Sequence, residues 1–366
     1  MRRVDINDSK RDQNARKDFL SFAAFGGAVF VISPLSLVGC SSKESGTGTS
    51  KVGPSESEVV EKKEAKIAFL VGAQLHQPTL PIGIAKGYFE EEGLQVNKLE
   101  FSSGGNVIQQ IGELDFAMIG INPAMIAKAQ GSDVVVFANL HQGGSALVVD
   151  PSISKFEDLK DQPVATPGAA SIQHNLYTML EEKYNTPTKK ITANVTDMPI
   201  FAMNKEIKGA IAWEPITTQI VEMAGFKVLF NSQDIMENQQ CCVWVTSKDV
   251  IENNREMVEK ITKINAKVTR FMLDHPEEAI EIIAESSGRD LSTIAKAFPN
   301  MVYPWPPRVD RQSSMVLLDA LLKRDVIEKD LVPDMDAFWK EFYDESFEQN
   351  LIDSGYIAEL EKASKA

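Results

Sequence analysis

Histidine and cysteine are the side chains of this sequence best suited to metal binding or proton transfer. Three of the four histidines, His76, His141 and His174, lie in polar segments beside apolar runs, where a histidine could bind a metal or serve chemistry. No nucleophile–base pair and no set of carboxylate ligands accompanies them at a recognisable spacing. Cys241 and Cys242 are adjacent in one apolar run, which favours two small apolar residues in a buried strand. We therefore expect no catalytic site, no metal and no cofactor.

Polar, glycine-rich loops follow the apolar runs and are better candidates for function. Open α/β sheets bind ligands at the carboxyl ends of their parallel strands, and glycine lets the backbone approach a ligand closely. One loop opens a helix, whose free N–H groups and dipole favour an anionic group. None of the loops contains Lys or Arg, which weakens an interpretation as a site for a bare oxyanion; they read "GAQLHQPTL", "SSGGN", "INPA", "HQGGS", "TPGAAS", "TDMP" and "WEPITTQ".

The elements that must position these loops are two series of short apolar runs alternating with helical segments. This alternation indicates parallel βαβ units in an α/β fold. The first series is "KIAFLV", "DFAMIG", "DVVVFA" and "ALVV". The second, after Asp150, is "PVAT", "ITANVT", "GAIAW", "FKVLF" and "CCVWVT". Beyond Asn254 the pattern has helical periodicity alone, so we expect two lobes followed by helices.

One helix is predicted in the segment "PTLPIGIAKGYFEEEG". Its apolar residues Leu80, Ile84 and Phe89 lie near one face of a helical projection. Gly93 follows at a position suited to a left-handed C-terminal cap. We therefore expect an amphipathic helix that ends at this glycine.

The N-terminal residues 1–40 have the pattern of a targeting segment. Arg16 and Lys17 precede an apolar run that closes on Leu37, Val38, Gly39 and Cys40, as in a lipoprotein signal whose cysteine receives lipid. An uncleaved membrane anchor is the alternative, because the run is long enough to span a bilayer. Residues 41–65 are rich in Ser, Gly, Glu and Lys and are interpreted as a tether. Either reading places the folded part outside the cytoplasm.

Length and charge limit the remaining possibilities. The chain has 366 residues, more than one hydrophobic core usually contains. Its formal net charge is -14, which argues against a nucleic-acid surface because few cations are present to replace counterions on a phosphate backbone. No GxxxxGK[ST] run is present to hold a nucleotide. We expect an acidic monomer that binds no nucleic acid.

The order of the motifs resembles the substrate-binding proteins of ABC importers for nitrate, taurine, alkanesulfonates and thiamine-pyrimidine precursors, the NMT1/THI5-like family. The resemblance covers roughly residues 66–290 and is carried by "GIAKGYFEEEGLQV", "SSGGNVIQQIGELDFAMIG", "FEDLKDQPVATPGAAS" and "GAIAWEPITTQI". It implies a type II periplasmic-binding-protein fold that closes on its ligand like a flytrap. Lobe 1 would comprise residues 66–148, lobe 2 residues 149–243, and residues 244–366 would return to lobe 1 and add C-terminal helices.

The resemblance also implies which residues contact the ligand. They are His76, Gln77, Ser103, Gly104, Asn122, Ser171, Trp213 and Glu214. An aliphatic sulfonate, taurine, nitrate or bicarbonate is the implied ligand, with a thiamine pyrimidine precursor as the alternative. "QQCCVWV" falls where related pyrimidine synthases carry a cysteine-rich run, which leaves a metal-chelate receptor or a synthase-like enzyme as less favoured possibilities. The implied partners are an ABC permease with its ATPase, and the membrane through the lipid on Cys40.

Overall fold

The computed structural model describes residues 63–364. The predicted signal, including Cys40, lies outside the described residues, as does most of the predicted tether. The first strand already begins at Lys63, and Ala65 is fully buried in it, so the folded part starts earlier than the predicted limit of residue 66. Among the described residues, no helix combines the length and the apolar character needed to cross a bilayer.

The described strands form two sheets. In chain order they are β1 (Lys63–Leu70), β2 (Leu94–Phe101), β3 (Phe116–Gly120), β4 (Val134–Gly143), β5 (Ser145–Val149), β6 (Pro163–Thr166), β7 (Lys189–Thr192), β8 (Gly209–Trp213), β9 (Lys227–Asn231), β10 (Gln240–Ser247) and β11 (Met301–Val302). The first sheet has the strand order β11-β4-β10-β3-β1-β2. The second has the order β7-β6-β8-β5-β9. The predicted α/β class with two lobes is therefore confirmed.

The chain crosses between the sheets along β4–β5 and β9–β10. Strand β5, predicted for the first lobe, pairs antiparallel with β8 and β9 in the second sheet. Strand β10, which holds Cys241 and Cys242 and was predicted for the second lobe, pairs antiparallel with β3 and β4 in the first. The predicted limits between the lobes, after residues 148 and 243, thus fall inside β5 and β10, and both sheets combine parallel with antiparallel pairs. Both strands are buried along their length, and such apolar runs do not specify sheet or direction.

Helices cover the sheets and fill the C-terminal part. They are α1 (Thr79–Ala85), α2 (Tyr88–Glu91), α3 (Gly104–Ile108), α4 (Ile121–Ala129), α5 (Ile172–Tyr184), α6 (Met198–Met203), α7 (Ile216–Ala224), α8 (Ser232–Ile235), α9 (Lys248–Asn253), α10 (Arg255–Asp274), α11 (Pro276–Ser287), α12 (Leu291–Ala297), α13 (Arg311–Lys323), α14 (Met335–Phe342), α15 (Ser346–Asp353) and α16 (Tyr356–Ser364). Helices α10, α14 and α15 pack on β4 of the first sheet.

The segment predicted as one helix forms two. Gly87 has a φ of 71° and separates α1 from α2, because a left-handed residue cannot continue a right-handed helix. Leu80 and Phe89 are buried as expected, whereas Ile84 is 37% exposed. Gly93 has a φ of 71° and follows α2 in the predicted left-handed cap. These turns place the loop after β1 and the loop after β2 at the same edge of the first sheet.

Candidate functional site

A cavity of about 640 Å³ lies between the two sheets. Its walls come from the loops after β1 and β2, the start of α4, the loops after β6 and β7, the end of β8 and the start of β10. Strand ends of both lobes therefore face one space, which is where open α/β sheets bind ligands. Six of the seven loops singled out in the sequence contribute residues to this lining; the exception is "HQGGS".

Six of the eight predicted ligand residues line this cavity: His76, Gln77, Ser103, Gly104, Ser171 and Trp213. Two, Asn122 and Glu214, are buried and lie outside the lining. None of the lining residues within the described chain is Asp, Glu, Lys or Arg. A ligand in the cavity would therefore meet neutral donors and acceptors, backbone groups and apolar surface.

Gln77 orders the first wall of the cavity. Its Oε1 accepts a hydrogen bond from the backbone N–H of Leu70 at 2.8 Å, and its Nε2 donates to the Met118 carbonyl at 2.7 Å. The side-chain amide thus ties the end of β1 to the middle of β3. Both polar atoms of the Gln77 side chain already form hydrogen bonds inside the protein, so a ligand would contact this side chain mainly through van der Waals interactions.

The "SSGGN" turn forms a second part of this wall. Ser103 is exposed, and its Oγ accepts a hydrogen bond from the Asn106 N–H at 3.3 Å at the start of α3. A Cβ at Gly104 would lie 3.2 Å from Pro123, so glycine is what allows α3 to approach α4 this closely. The "SSGGN" turn thus forms one side of the cavity.

Helix α5 begins at the opposite wall. Ser171 is its N-cap: its Oγ accepts a hydrogen bond from the His174 N–H at 3.0 Å and donates to the Gly168 carbonyl at 2.7 Å. The first N–H groups of the helix thus lie beside the cavity, as predicted. The His174 ring instead pairs with Thr166 Oγ1 at 2.9 Å, and its pKa is lowered by burial and by Lys190.

Glu214 lies behind the second-lobe wall. Its carboxylate accepts hydrogen bonds from the Thr218 N–H at 3.1 Å and from Asn300 Nδ2 at 2.7 Å. Burial raises the pKa of this carboxyl, although these two hydrogen bonds oppose the rise. The residue thus caps α7 and links the second lobe to the segment before β11. Trp213, the residue before it, is half-buried and faces the cavity.

Asn122 links the two lobes on the other side of the cavity. Its Nδ2 donates to the Ser171 carbonyl at 3.5 Å, and its Oδ1 has no hydrogen-bond partner within the described residues. The side chain is fully buried. Asn122 therefore supports the N-cap of α5 rather than facing the cavity directly.

Four potential metal ligands meet at the floor of the cavity: His76, His141, Cys241 and Cys242. Sequence reasoning noticed each of them but did not bring them together, because they come from three distant segments. Burial and the neighbouring His141 ring lower the pKa of His76. Cys242 and the two imidazole rings hold the pKa of the Cys241 thiol well below its usual range, and the pKa of Cys242 is raised by Cys241 and by burial.

Another depression, of about 960 Å³, lies at the far side of the first lobe. Its lining includes Lys248, Arg311 and Asp336, and the last two form an ion pair with each other. It contains none of the strand-end loops. We therefore assign the functional site to the cavity between the sheets.

The fold and the cavity define a two-lobe binding protein, and comparisons with known proteins give its family. A family model described as NMT1/THI5 like matches residues 79–279, so the chain belongs to this family, as its motifs predicted. The taurine-binding periplasmic protein of Escherichia coli (strain K12) is 28% identical over 215 residues, which are 55% of this chain and 67% of that protein.

Solved structures of binding proteins share the fold. The periplasmic aliphatic sulphonate-binding protein of Escherichia coli has a TM-score of 0.60 at 17% identity, covering 72% of this chain and 88% of its own. The periplasmic nitrate-binding protein of Synechocystis PCC 6803 has a TM-score of 0.65 at 14% identity, covering 80% and 89%. These proteins are named as binding proteins, which agrees with the expectation that the chain is not an enzyme.

Proposed function

We propose that this protein is the extracytoplasmic solute receptor of an ABC importer and that it delivers its ligand to a membrane permease served by an ATPase. Membership of the family and the similarity to a taurine-binding protein support this role. The observation that carries the proposal is one cavity walled by strand-end loops of both lobes. A ligand that touches both walls stabilises the closed form through contacts that the open form lacks.

The proposed ligand is a small organic molecule or oxyanion of the sulfonate, taurine, nitrate or bicarbonate class. The start of α5 with Ser171 would receive the anionic end, because helical N–H groups bind anions without a cationic side chain. The half-buried ring of Trp213 would cover a carbon skeleton. A substituted sulfonate uses both features, whereas a bare oxyanion uses only the first.

A thiamine pyrimidine precursor is the second candidate. The described lining of the cavity has no charged side chain and includes amide, hydroxyl and aromatic groups, which suit a neutral heterocycle. Such a ring would stack on Trp213 and form hydrogen bonds to neighbouring polar groups. Under either candidate the lining residues contact the ligand, while Asn122 and Glu214 hold the wall in place.

The test is calorimetric titration of the purified protein with taurine, alkanesulfonates, nitrate, bicarbonate and formylaminopyrimidine. Trp213→Ala should weaken binding of the true ligand by about tenfold or more, because a stacked aromatic contact is lost. Trp305→Ala is the matched control, since Trp305 lies outside the cavity and donates to Glu361. If no solute in a broad screen binds or raises the melting temperature, the receptor proposal is wrong.

Glu214→Gln separates the ligand classes. If a ligand amine reaches this carboxylate on closure, losing the charge removes a bond of about 1.5 to 3 kcal/mol, roughly tenfold or more in affinity. Nitrate or a sulfonate without an amine should bind the variant as well as or better than the wild type. Unchanged taurine binding by Glu214→Gln would rule out amine recognition by Glu214.

We further propose that the chain is a monomer anchored to the outer face of the membrane by lipid on Cys40. The pattern of the predicted signal and the role of its relatives support this location. Cys40 lies outside the described residues, so the proposal depends on the sequence and is tested by lipid labelling.

A further inference from the structure

Four side chains with metal-binding atoms converge on one point at the floor of the cavity. They are His76 in the loop after β1, His141 near the end of β4, and Cys241 and Cys242 at the start of β10. One nitrogen or sulfur atom of each lies within 4.8 Å of those of the other three. All four residues are buried, with exposures between 0% and 6%. Three of the four, His76, Cys241 and Cys242, also line the cavity, so an ion bound here would lie directly beneath the proposed solute site.

A bulge in β10 brings the two adjacent cysteines together. Adjacent residues of a regular strand point to opposite faces of the sheet. Here Gln240 pairs with Gln142 and Cys242 with His141, so Cys241 is an extra residue in the ladder. A bulge of this kind redirects a side chain, and the two Sγ atoms lie 3.9 Å apart. Both thiols are free in the structure.

The distances fit a tetrahedral site with two nitrogen and two sulfur ligands. With Zn–S near 2.3 Å and Zn–N near 2.0 Å, a tetrahedron has S–S edges of about 3.8 Å and S–N edges of about 3.5 Å. The observed distances are 3.9 Å between the sulfurs and 3.8 Å between Cys241 Sγ and His76 Nδ1. The other ligand atoms lie within 4.8 Å of one another, so a bound ion would draw them closer through side-chain rotation.

The histidines carry nitrogen atoms without a partner. Nε2 of His76 and Nε2 of His141 are both buried and form no hydrogen bond within the described residues, and His76 faces the cluster with Nδ1, the atom that lies 3.8 Å from Cys241 Sγ. His141 Nδ1 lies 3.2 Å from the Gln142 carbonyl, a contact that places the proton on Nδ1 and leaves the Nε2 lone pair available. Metal-binding histidines are commonly oriented by this type of contact.

Gly144, at the first crossover, leaves the space that the His76 ring occupies in the cluster. Gly144 has a φ of 77°, and a Cβ there would collide with Met301 Sδ and lie 3.1 Å from His76 Cε1. Any larger residue would therefore displace His76. The cluster thus depends on a backbone position that lies between β4 and β5, at the first crossover.

We propose that His76, His141, Cys241 and Cys242 bind one transition-metal ion at the floor of the cavity. Imidazole and thiolate ligands select borderline or soft ions such as Zn²⁺ and disfavour Mg²⁺ and Ca²⁺, which require oxygen ligands. Four protein ligands complete the tetrahedron, so the ion has a structural role. It would fix the loop after β1 to both crossover strands and so order the floor beneath the solute.

The full chain, purified with a reductant and stripped by a chelator, should bind one equivalent of Zn²⁺ in competition with a chromophoric chelator. Co²⁺ should show a thiolate-to-metal charge-transfer band, which reports sulfur ligation directly. Bound Zn²⁺ should also raise the melting temperature, because it binds only the folded state tightly. These measurements need no solute, so their outcome is independent of the receptor proposal.

Single substitutions identify the ligands. Cys241→Ser, Cys242→Ser and His76→Gln should each weaken Zn²⁺ binding by more than about 100-fold, the upper range for loss of an outer-shell partner. The controls are His174→Gln, a histidine paired with Thr166, and Cys40→Ala; both should bind Zn²⁺ as the wild type does. Far-ultraviolet circular dichroism shows whether each variant is folded.

Two results would overturn the proposal. One is a reduced, folded wild-type protein that binds no equivalent of Zn²⁺, or whose binding survives Cys241→Ser and Cys242→Ser together. The other is a Cys241–Cys242 disulfide in protein isolated without a reductant, detected as a lower intact mass from loss of both thiol hydrogens and localised by peptide mapping. Solute titration of the same sample would still test the receptor proposal.

Discussion

Glu348 shows how one residue can set the pH dependence of stability. It is 2% exposed and accepts hydrogen bonds from the Asn139 N–H at 2.7 Å, the Val309 N–H at 3.3 Å and the Tyr343 hydroxyl. Burial raises its pKa from 4.5 to about 7, although these bonds oppose the rise. The carboxyl therefore ties β4 to the C-terminal part at the cost of burying an ionisable group.

The free energy of unfolding should fall as pH rises through the pKa of Glu348. The folded protein binds the proton more tightly than the unfolded chain, so this stability is complete below about pH 4.5 and is lost above about pH 7. A rise of this size corresponds to roughly 3 kcal/mol. Glu348→Gln should lack this decline in urea unfolding between about pH 5 and pH 8.

The matched control is Glu345→Gln, which neutralises an exposed carboxylate on the same turn of the chain. It should keep the pH dependence of the wild type. If the free energy of unfolding changed with pH equally in the wild type and in Glu348→Gln, Glu348 would not titrate across this range.

Helix α10 is held to the first sheet by one polar residue on its buried face. Asn265 Oδ1 accepts hydrogen bonds from Thr79 Oγ1 at 2.7 Å and Trp244 Nε1 at 3.1 Å, and its Nδ2 donates to the Asn139 carbonyl at 2.8 Å. One side chain thus joins α10 to α1, β4 and β10. These strands carry His141 and the two cysteines, so the helix supports the cavity floor.

Asn265→Ala should destabilise the protein by about 3 kcal/mol or more. The substitution leaves a hydroxyl, an indole N–H and a carbonyl buried without this partner, and each costs about 1 to 3 kcal/mol. Urea unfolding at neutral pH measures the change. Asn253→Ala is the control, because Asn253 is exposed and bonds only to Asp249 on its own helix. A decrease of less than about 1 kcal/mol in the free energy of unfolding would mean that the neighbouring polar groups find other hydrogen-bond partners.

At the scale of the molecule, the described residues form two lobes joined by the β4–β5 and β9–β10 crossovers and by a contact from the C-terminal part. Glu222 on α7 bonds to Thr293 Oγ1 at 2.8 Å and to Lys296 Nζ at 2.6 Å on α12. Glu214 adds a bond to Asn300 in the same region. The C-terminal part therefore touches both lobes, and the proposed closure on a ligand would have to preserve or remake these contacts.

Lipid labelling tests the proposed lipid anchor on Cys40. Labelled fatty acid should appear on the wild type and disappear with Cys40→Ala, because a lipoprotein signal offers one cysteine for lipid. Cys241→Ser is the control and should keep the label, since Cys241 is buried in the fold. Label that persists in Cys40→Ala would place the lipid elsewhere.

Local patterns in the sequence determined the class of fold and the position of most loops that line the cavity. Apolar runs bounded by polar turns predicted most of the strands, and glycine and serine marked the loops that line the cavity. Strands and loops of this kind are determined by residues close together in the sequence, so the sequence pattern is sufficient to predict them. The family followed from longer motifs such as the one around Gly87 and Gly93, even though the first of these glycines divides the predicted helix.

Tertiary structure alone decided which side chains meet. Strand β5 lies in the second sheet and β10 in the first, the reverse of their order in the sequence. An apolar run that is buried on both faces does not specify which strand it pairs with or in which direction. The Glu214 carboxylate lies behind the cavity wall and accepts a hydrogen bond at the start of α7. The bulge at Cys241 places two adjacent thiols beside His76 and His141. Periodicity does not predict a bulge, and residues in separate segments come together only when the chain crosses between sheets, so spacing along the sequence could not show the four-ligand cluster.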